Sequence, residues 1–329
     1  MTLLSRFLAG DRVALARMIS HVEDRAPGYH EALTRIFAHR KGAFRVGLTG
    51  PPGAGKSSLV NRLALKLAQE GRQVGVIAVD PSSPFTGGAL LGDRVRMASL
   101  YGLPNVFVRS MATRGSPGGL AAATKDVCVT LEGFGFDTIL VETVGVGQVE
   151  LDVASVCDTV IVVFVPESGD AIQAMKSGLM EIADVFCINK ADRPGAERVK
   201  SELESILEVR QEVRRGAQKG DPVAPALWNP PVLTTVATAD EGIAALWDAV
   251  LAHHRFHDGG DPLGHKRRRA RADLVLSLSE LARRQMESEV LASTAFDLAV
   301  EQIVANQADP YTLARRLFEL WCQAADRGP

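Results

Sequence analysis

The most constraining feature of this chain is an eight-residue run, Gly50-Pro51-Pro52-Gly53-Ala54-Gly55-Lys56-Ser57, set between an apolar segment and a segment of helical period. Before it, Phe44-Arg45-Val46-Gly47-Leu48-Thr49 reads as a buried strand. After it, Leu59, Val60, Leu63, Ala64 and Leu67 recur at the spacing of one helix face. Strand, glycine-rich turn and helix, in that order, form a cradle for a nucleoside triphosphate. The glycines let consecutive N–H groups turn inward onto phosphate oxygens, with Pro52, Gly53, Ala54, Gly55 and Ser58 completing the backbone cradle. Lys56 can reach the β and γ oxygens, and the Ser57 hydroxyl suits Mg²⁺.

The choice of base is written further along. Val185-Phe186-Cys187-Ile188 reads as another buried strand and ends in Asn189-Lys190-Ala191-Asp192. An aspartate here accepts two hydrogen bonds from the N1 and N2 edge of guanine, whereas adenine offers an acceptor at N1 and no amine at C2. Each buried partner left unsatisfied costs on the order of 1–3 kcal/mol, so the pattern favours GTP over ATP by a wide margin. After the last apolar run, Thr235-Val236-Ala237-Thr238 offers the Ala237 N–H to the base oxygen, a weaker pattern because Val236 stands where a serine is usual.

Seven short apolar runs, at 46–49, 74–79, 105–108, 138–141, 160–165, 185–188 and 232–235, alternate with helical patterns. Near-continuous apolar strands of this kind belong to a mostly parallel sheet covered by helices on both faces, an α/β P-loop NTPase fold. Residues 1–40 read as an N-terminal helical extension of two helices, the second capped by Asp11; 41–258 read as the nucleotide domain. His257-Asp258-Gly259-Gly260-Asp261-Pro262-Leu263-Gly264 reads as a linker into a C-terminal helical region, 259–329. Its amphipathic helices, at 271–286, 296–303 and 312–321, are too small for a core of their own. They must pack on the main domain or, preferably, on a second subunit, which makes a homodimer the expected state.

Charge and composition exclude several classes. A formal charge of −2 supplies no field for gathering nucleic acid or anionic lipid. No apolar stretch reaches the roughly 18–20 residues of a membrane span, and the first residues lack a secretory signal, so a cytoplasmic protein without nucleic-acid or membrane partners is expected. The four cysteines, Cys128, Cys157, Cys187 and Cys322, are scattered and read as reduced thiols. His253, His254 and His257 read as a helix end rather than a metal site, and Lys266-Arg267-Arg268-Arg269-Ala270-Arg271 as a solvated helix start.

Carboxylates at strand ends complete the chemistry. Asp80 closes the run at 74–79 and can hold Mg²⁺ through water on the ligand side of the sheet; Asp93 can couple the following loop to the metal. Ile139-Leu140-Val141-Glu142-Thr143-Val144-Gly145 ends a strand where many GTPases carry Asp-x-x-Gly. Here the acid is Glu142, able to reach the attacking water or, through water, the metal, and Gly145 can give its N–H to the γ-phosphate. Val146 occupies the place of a water-orienting glutamine, so intrinsic hydrolysis should be slow and dependent on a partner or a dimer rearrangement. Lys56, Glu142 and Asp80 are the candidate catalytic residues, and Ser57, Asp80, Asp93 and Glu142 the candidate Mg²⁺ ligands. A further loop at the same end of the sheet carries Gly169, Asp170, Gln173 and Lys176, placed to contact a partner or a neighbouring nucleotide.

These motifs, with Asp80-Pro81-Ser82-Ser83, Thr86-Gly87-Gly88, Gly92-Asp93-Arg94 and the tail Asp309-Pro310-Tyr311-Thr312, closely resemble the MeaB/ArgK family of GTPases over roughly residues 10–325. That family belongs to the class of P-loop GTPases that mature metalloenzymes. Ser116-Pro117 depart from it, standing where the family commonly has His-Leu. The resemblance implies a homodimeric GTPase chaperone for an adenosylcobalamin-dependent acyl-CoA mutase, chiefly methylmalonyl-CoA mutase. It would gate cofactor loading and protect or reactivate that enzyme. It also implies that Gly169, Asp170, Gln173 and Lys176 belong to a third switch loop. Cobalamin itself has no ligand segment here of the Asp-x-His-x-x-Gly kind. The alternative is a P-loop kinase or transport-linked ATPase, an older description attached to the same family, against which residues 189–192 argue.

Overall fold

All seven apolar runs are strands, and every pairing between them is parallel, in the order 106–112, 74–80, 138–143, 44–49, 159–164, 185–189, 232–235. The computed structural model describes residues 2–80, 97–112, 119–143, 155–167, 178–217, 227–260 and 262–325. In chain order the elements are α1 (Leu3–Leu8), α2 (Arg12–Glu23), α3 (Tyr29–Phe37), β1 (Phe44–Thr49), α4 (Lys56–Gln69), β2 (Val74–Asp80), β3 (Val106–Ala112), α5 (Gly119–Phe134), β4 (Thr138–Thr143), β5 (Thr159–Phe164), α6 (Leu179–Ile182), β6 (Val185–Asn189), α7 (Ala196–Ala217), β7 (Val232–Thr235), α8 (Ile243–Gly260) and α9 (Pro262–Gln285). A π-helical turn (Met286–Leu291), α10 (Thr294–Val304) and α11 (Pro310–Ala325) follow. The chain divides into two compact units, Met1–Ala270 and Arg271–Pro329.

The sheet is covered on both faces, which is why β1, β4, β5 and β6 are buried at every position and read as unbroken apolar runs. On one face Val46, Leu48, Leu140, Ile161 and Val163 pack with Leu59 and Leu63 of α4 and Leu246 and Val250 of α8. On the other, Ile77, Val79, Ile139 and Val141 meet Leu15 and Ile19 of α2 and Val127 and Leu131 of α5. Val162, Phe186 and Ile188 meet Val199 and Leu203 of α7.

Three expectations need correction. The N-terminal extension contains three helices, and it is built into the core: Leu15, Met18 and Ile19 are essentially inaccessible, each worth about 1.5–3 kcal/mol of burial. Asp11 does cap α2, accepting from Val13 N at 2.8 Å and Ala14 N at 3.2 Å. The expected linker at 257–264 is largely helix. Residues 257–260 end α8 and Pro262 begins α9, so the 258/259 boundary falls inside α8. Two glycines in a last turn cost only about 1 kcal/mol each, and proline fits a first helical turn that needs no N–H.

The third correction concerns the basic run. Lys266, Arg267, Arg268 and Arg271 are exposed, but Arg269 turns inward. Its Nη1 donates to Asp158 Oδ1 and Oδ2 at 3.0 Å each, and its Nη2 to Glu132 Oε1 at 2.8 Å. Glu132 also pairs with Arg45 of β1 at 2.7 Å and with Arg40 at 3.4 Å. Two buried carboxylates explain why this arginine turns partly out of water.

His253 is buried in α8, with Nδ1 2.8 Å from Thr159 Oγ1 and Nε2 3.2 Å from Asp184 Oδ1. No cluster of metal-ligating side chains occurs among the described residues. The cysteines are free thiols. Burial pushes Cys128 up to about 11 and Cys187 up to about 12, which leaves both protonated and unreactive.

Candidate functional site

Because all seven strands run the same way, the carboxyl ends of β1, β4, β5, β6 and β7 share one edge of the sheet, where α/β proteins bind ligands. The glycine-rich turn leaves β1 at that edge. Gly50 passes so close to β5 that a Cβ would lie 2.2 Å from Val163 O, and its φ of 134° excludes other residues as well. Gly55, at φ 84°, is the N-cap of α4; a Cβ there would lie 2.3 Å from Asn189 Nδ2. Among the described residues no side chain caps α4. Its first-turn N–H groups are therefore presented to the loop, the arrangement that receives an anion.

Lys56 is buried and folds back over the loop, Nζ donating to Gly50 O at 2.7 Å and Pro51 O at 2.9 Å. Ser57 Oγ donates to Glu142 Oε1 at 2.5 Å. Side-chain alternation explains the meeting: Glu142 shares the face of β4 with Leu140, which packs against α4, and its register partner on β1 is Leu48, two residues before the loop. The carboxylate thus reaches the phosphate-loop serine directly. Asp80 is the last residue of β2, where Val79 pairs with Thr143. Asp93, Gly145, Gly169, Asp170, Gln173 and Lys176 lie outside the described residues.

The second half of the site begins at the end of β6. Asn189 Nδ2 donates to Ala54 O at 2.9 Å, and its Oδ1 accepts from Thr235 Oγ1 and Ala237 N at 3.2 Å each. The Ala237 N–H, expected on the base oxygen, is instead given to Asn189, because that buried side-chain oxygen lies within its reach. Lys190 holds a left-handed φ of 58° and donates from Nζ to Gly53 O at 2.8 Å. A strained residue clamped at both ends is typical of a ligand-binding turn. Asp192 is exposed at the mouth of the site. Its neighbour Arg193 pairs with Glu167 and holds that carboxyl below the usual carboxylate range.

One edge of a parallel sheet therefore carries a phosphate loop and, strapped to it through Asn189, an Asn-Lys-x-Asp turn, and that arrangement defines the P-loop GTPases. Residues 15–295 match the family described as methylmalonyl Co-A mutase-associated GTPase MeaB; the chain belongs to that family and is a GTPase. It is 45% identical to a putative GTPase of Pyrococcus abyssi over 313 residues, 95% of this chain and 94% of that one. It is 35% identical to the GTPase ArgK of Escherichia coli over 332 residues, 96% of this chain and 95% of the other. Among solved structures it resembles one described as LAO/AO transport system kinase, with a TM-score of 0.67, 28% identity and coverage of 97% and 96% of the two chains.

Proposed function

We propose that this GTPase is a nucleotide-driven switch for an adenosylcobalamin-dependent acyl-CoA mutase, first among them methylmalonyl-CoA mutase. It assists cofactor loading and protects or reactivates that enzyme. The family description supports the partnership. The switch reading is carried by the 2.5 Å bond between Ser57 and Glu142, which joins the phosphate loop to the end of β4. An all-oxygen set with a buried carboxylate fits Mg²⁺. Ser57, Glu142, Asp80 and Asp93 would hold it, and there it would supply neutralising charge to the phosphates.

Lys56 exchanges its two loop carbonyls for phosphate oxygens, and Asp192 reads the guanine edge. Asn189 and Lys190 hold the cradle, with Ala237 acting through Asn189. Gly145 offers its N–H to the γ-phosphate. Gly169, Asp170, Gln173 and Lys176 form a further switch toward the partner or a neighbouring nucleotide. Intrinsic turnover is slow, and the setting is the cytoplasm; among the described residues no helix is long and apolar enough to cross a membrane.

Single-turnover GTP hydrolysis with and without an adenosylcobalamin-dependent mutase tests this reading. The mutase should raise the rate, and Glu142→Ala should raise the Mg²⁺ requirement or lower turnover by about 10–100-fold. A rate indifferent to every such mutase removes the partnership. Unchanged Mg²⁺ dependence and rate in Glu142→Ala would leave Asp80 as the working carboxylate, and ATP turned over as readily as GTP would favour the kinase or ATPase reading.

The proposed state is a homodimer joined through the C-terminal helices. Leu274, Leu278 and Leu281 of α9 are exposed to 60%, 56% and 50%, three apolar side chains at helical spacing on one stripe. Leu278→Asp should convert a dimer to a GTP-binding monomer in light scattering. A wild-type chain that is already monomeric moves this stripe to the mutase.

A further inference from the structure

Six residues beyond Lys56, on the helix that opens with the phosphate loop, Arg62 reaches out of α4 to the opposite end of the site. Its Nε donates to Ala237 O at 3.0 Å and its Nη2 to Thr238 O at 3.1 Å. These are successive carbonyls of the turn that follows β7, a turn closed by the pairing of Val236 with Glu241. From the other side the same turn gives Ala237 N–H to Asn189 Oδ1, and Asn189 in turn holds Ala54 O of the phosphate loop. The circuit is closed. It runs from phosphate loop along α4 to Arg62, through Ala237 and Asn189, and back to the phosphate loop.

We infer that Arg62 is a positioning residue for guanine selectivity: it fixes the turn beyond β7 against α4, and so sets the distance between the place of the base and the place of the phosphates. Two adjacent carbonyls call for a planar donor with two N–H groups in a fixed fork, which arginine has and lysine lacks. Without the fork the turn keeps its bond to Asn189 and the apolar packing of Ala237, but loses its hydrogen bonds to α4. The base then meets a more loosely placed turn, while the phosphates meet an unchanged loop. The inference rests on the assignment of residues 189–192 to the base and 50–57 to the phosphates.

The test compares a ligand that has a base with one that has none. GTP, ATP and inorganic tripolyphosphate, each with Mg²⁺, are titrated calorimetrically into the full-length wild type, Arg62→Ala and Arg62→Lys. Loss of two charge-assisted hydrogen bonds in Arg62→Ala should weaken GTP on the order of 10–100-fold, leaving tripolyphosphate and ATP as they are in wild type, so the GTP-to-ATP preference falls by the same factor. Arg62→Lys, keeping one donor, should fall between. Parallel loss of GTP and tripolyphosphate would make Arg62 a structural support of α4 and overturn the inference, as would GTP binding unaltered in Arg62→Ala. A wild type that binds ATP as tightly as GTP fails separately: it removes the guanine assignment itself.

Discussion

Asp192→Asn is expected to weaken GTP binding by about 10²–10⁴-fold and to shift the preference to xanthosine triphosphate. The carboxylate offers two acceptors to the N1–H and N2–H of guanine, and a hydrogen bond to a charged group is worth about 1.5–3 kcal/mol. An asparagine keeps one acceptor and turns an N–H₂ toward the guanine amine. Xanthine carries a carbonyl at C2, so the same amide meets a complementary edge. Asp192 is exposed before ligand arrives, so the free protein gains nothing from the substitution that would offset the loss. Calorimetry with both triphosphates reads the exchange. Undiminished GTP affinity in the variant would move base recognition away from this residue.

The second large effect is on stability. Glu132→Ala should cost about 3–5 kcal/mol, the usual result of removing one member of a buried ion pair. Glu132 is 1% exposed and binds Arg45, itself 0% exposed in the central strand. Stripped of this carboxylate, the guanidinium of Arg45 stays inside the fold, because its strand cannot move outward. Arg40 and Arg269 lose the same partner. Replacing both members, as in Arg45→Met with Glu132→Leu, should recover much of the loss, since no charge is then left behind. Denaturant melts decide it: a lowered midpoint at constant slope is expected for Glu132→Ala, and a midpoint within experimental error of wild type would show that the cluster contributes little.

The strands were legible because burial on both faces makes a parallel strand an apolar run, and the phosphate loop was legible because glycine is required where Gly50 and Gly55 approach Val163 and Asn189. The apolar run at 105–108 covers only part of β3. Beyond Val108 the strand continues through Arg109, a charge that looks like a strand end but pairs with Glu23 of α2. Long-range partners account for the other misreadings. Arg269 reads as solvated because its carboxylates lie 111 and 137 residues away, and Arg45 is hidden inside an apolar run, although a charge in a doubly covered strand needs a buried counterion. Arg62 and the bond from Ala237 to Asn189 depend on how a turn folds, which no local pattern carries. Glu142 stood at the right place in sequence; its contact with Ser57 follows from strand register and alternation, both recoverable once the sheet order is known.

Arg269 also sets a timetable for biosynthesis. Glu132 leaves the ribosome 137 residues ahead of it, a gap of roughly 7–27 s at ordinary elongation rates. By the end of that interval every strand of the sheet and both halves of the nucleotide site have been made, yet the ionic cluster at β1 still lacks its third cation. The nascent nucleotide domain is thus finished by a residue beyond its last strand, and a chain interrupted before α9 would carry a complete GTP cradle over a cluster still missing the guanidinium that Glu132 and Asp158 share.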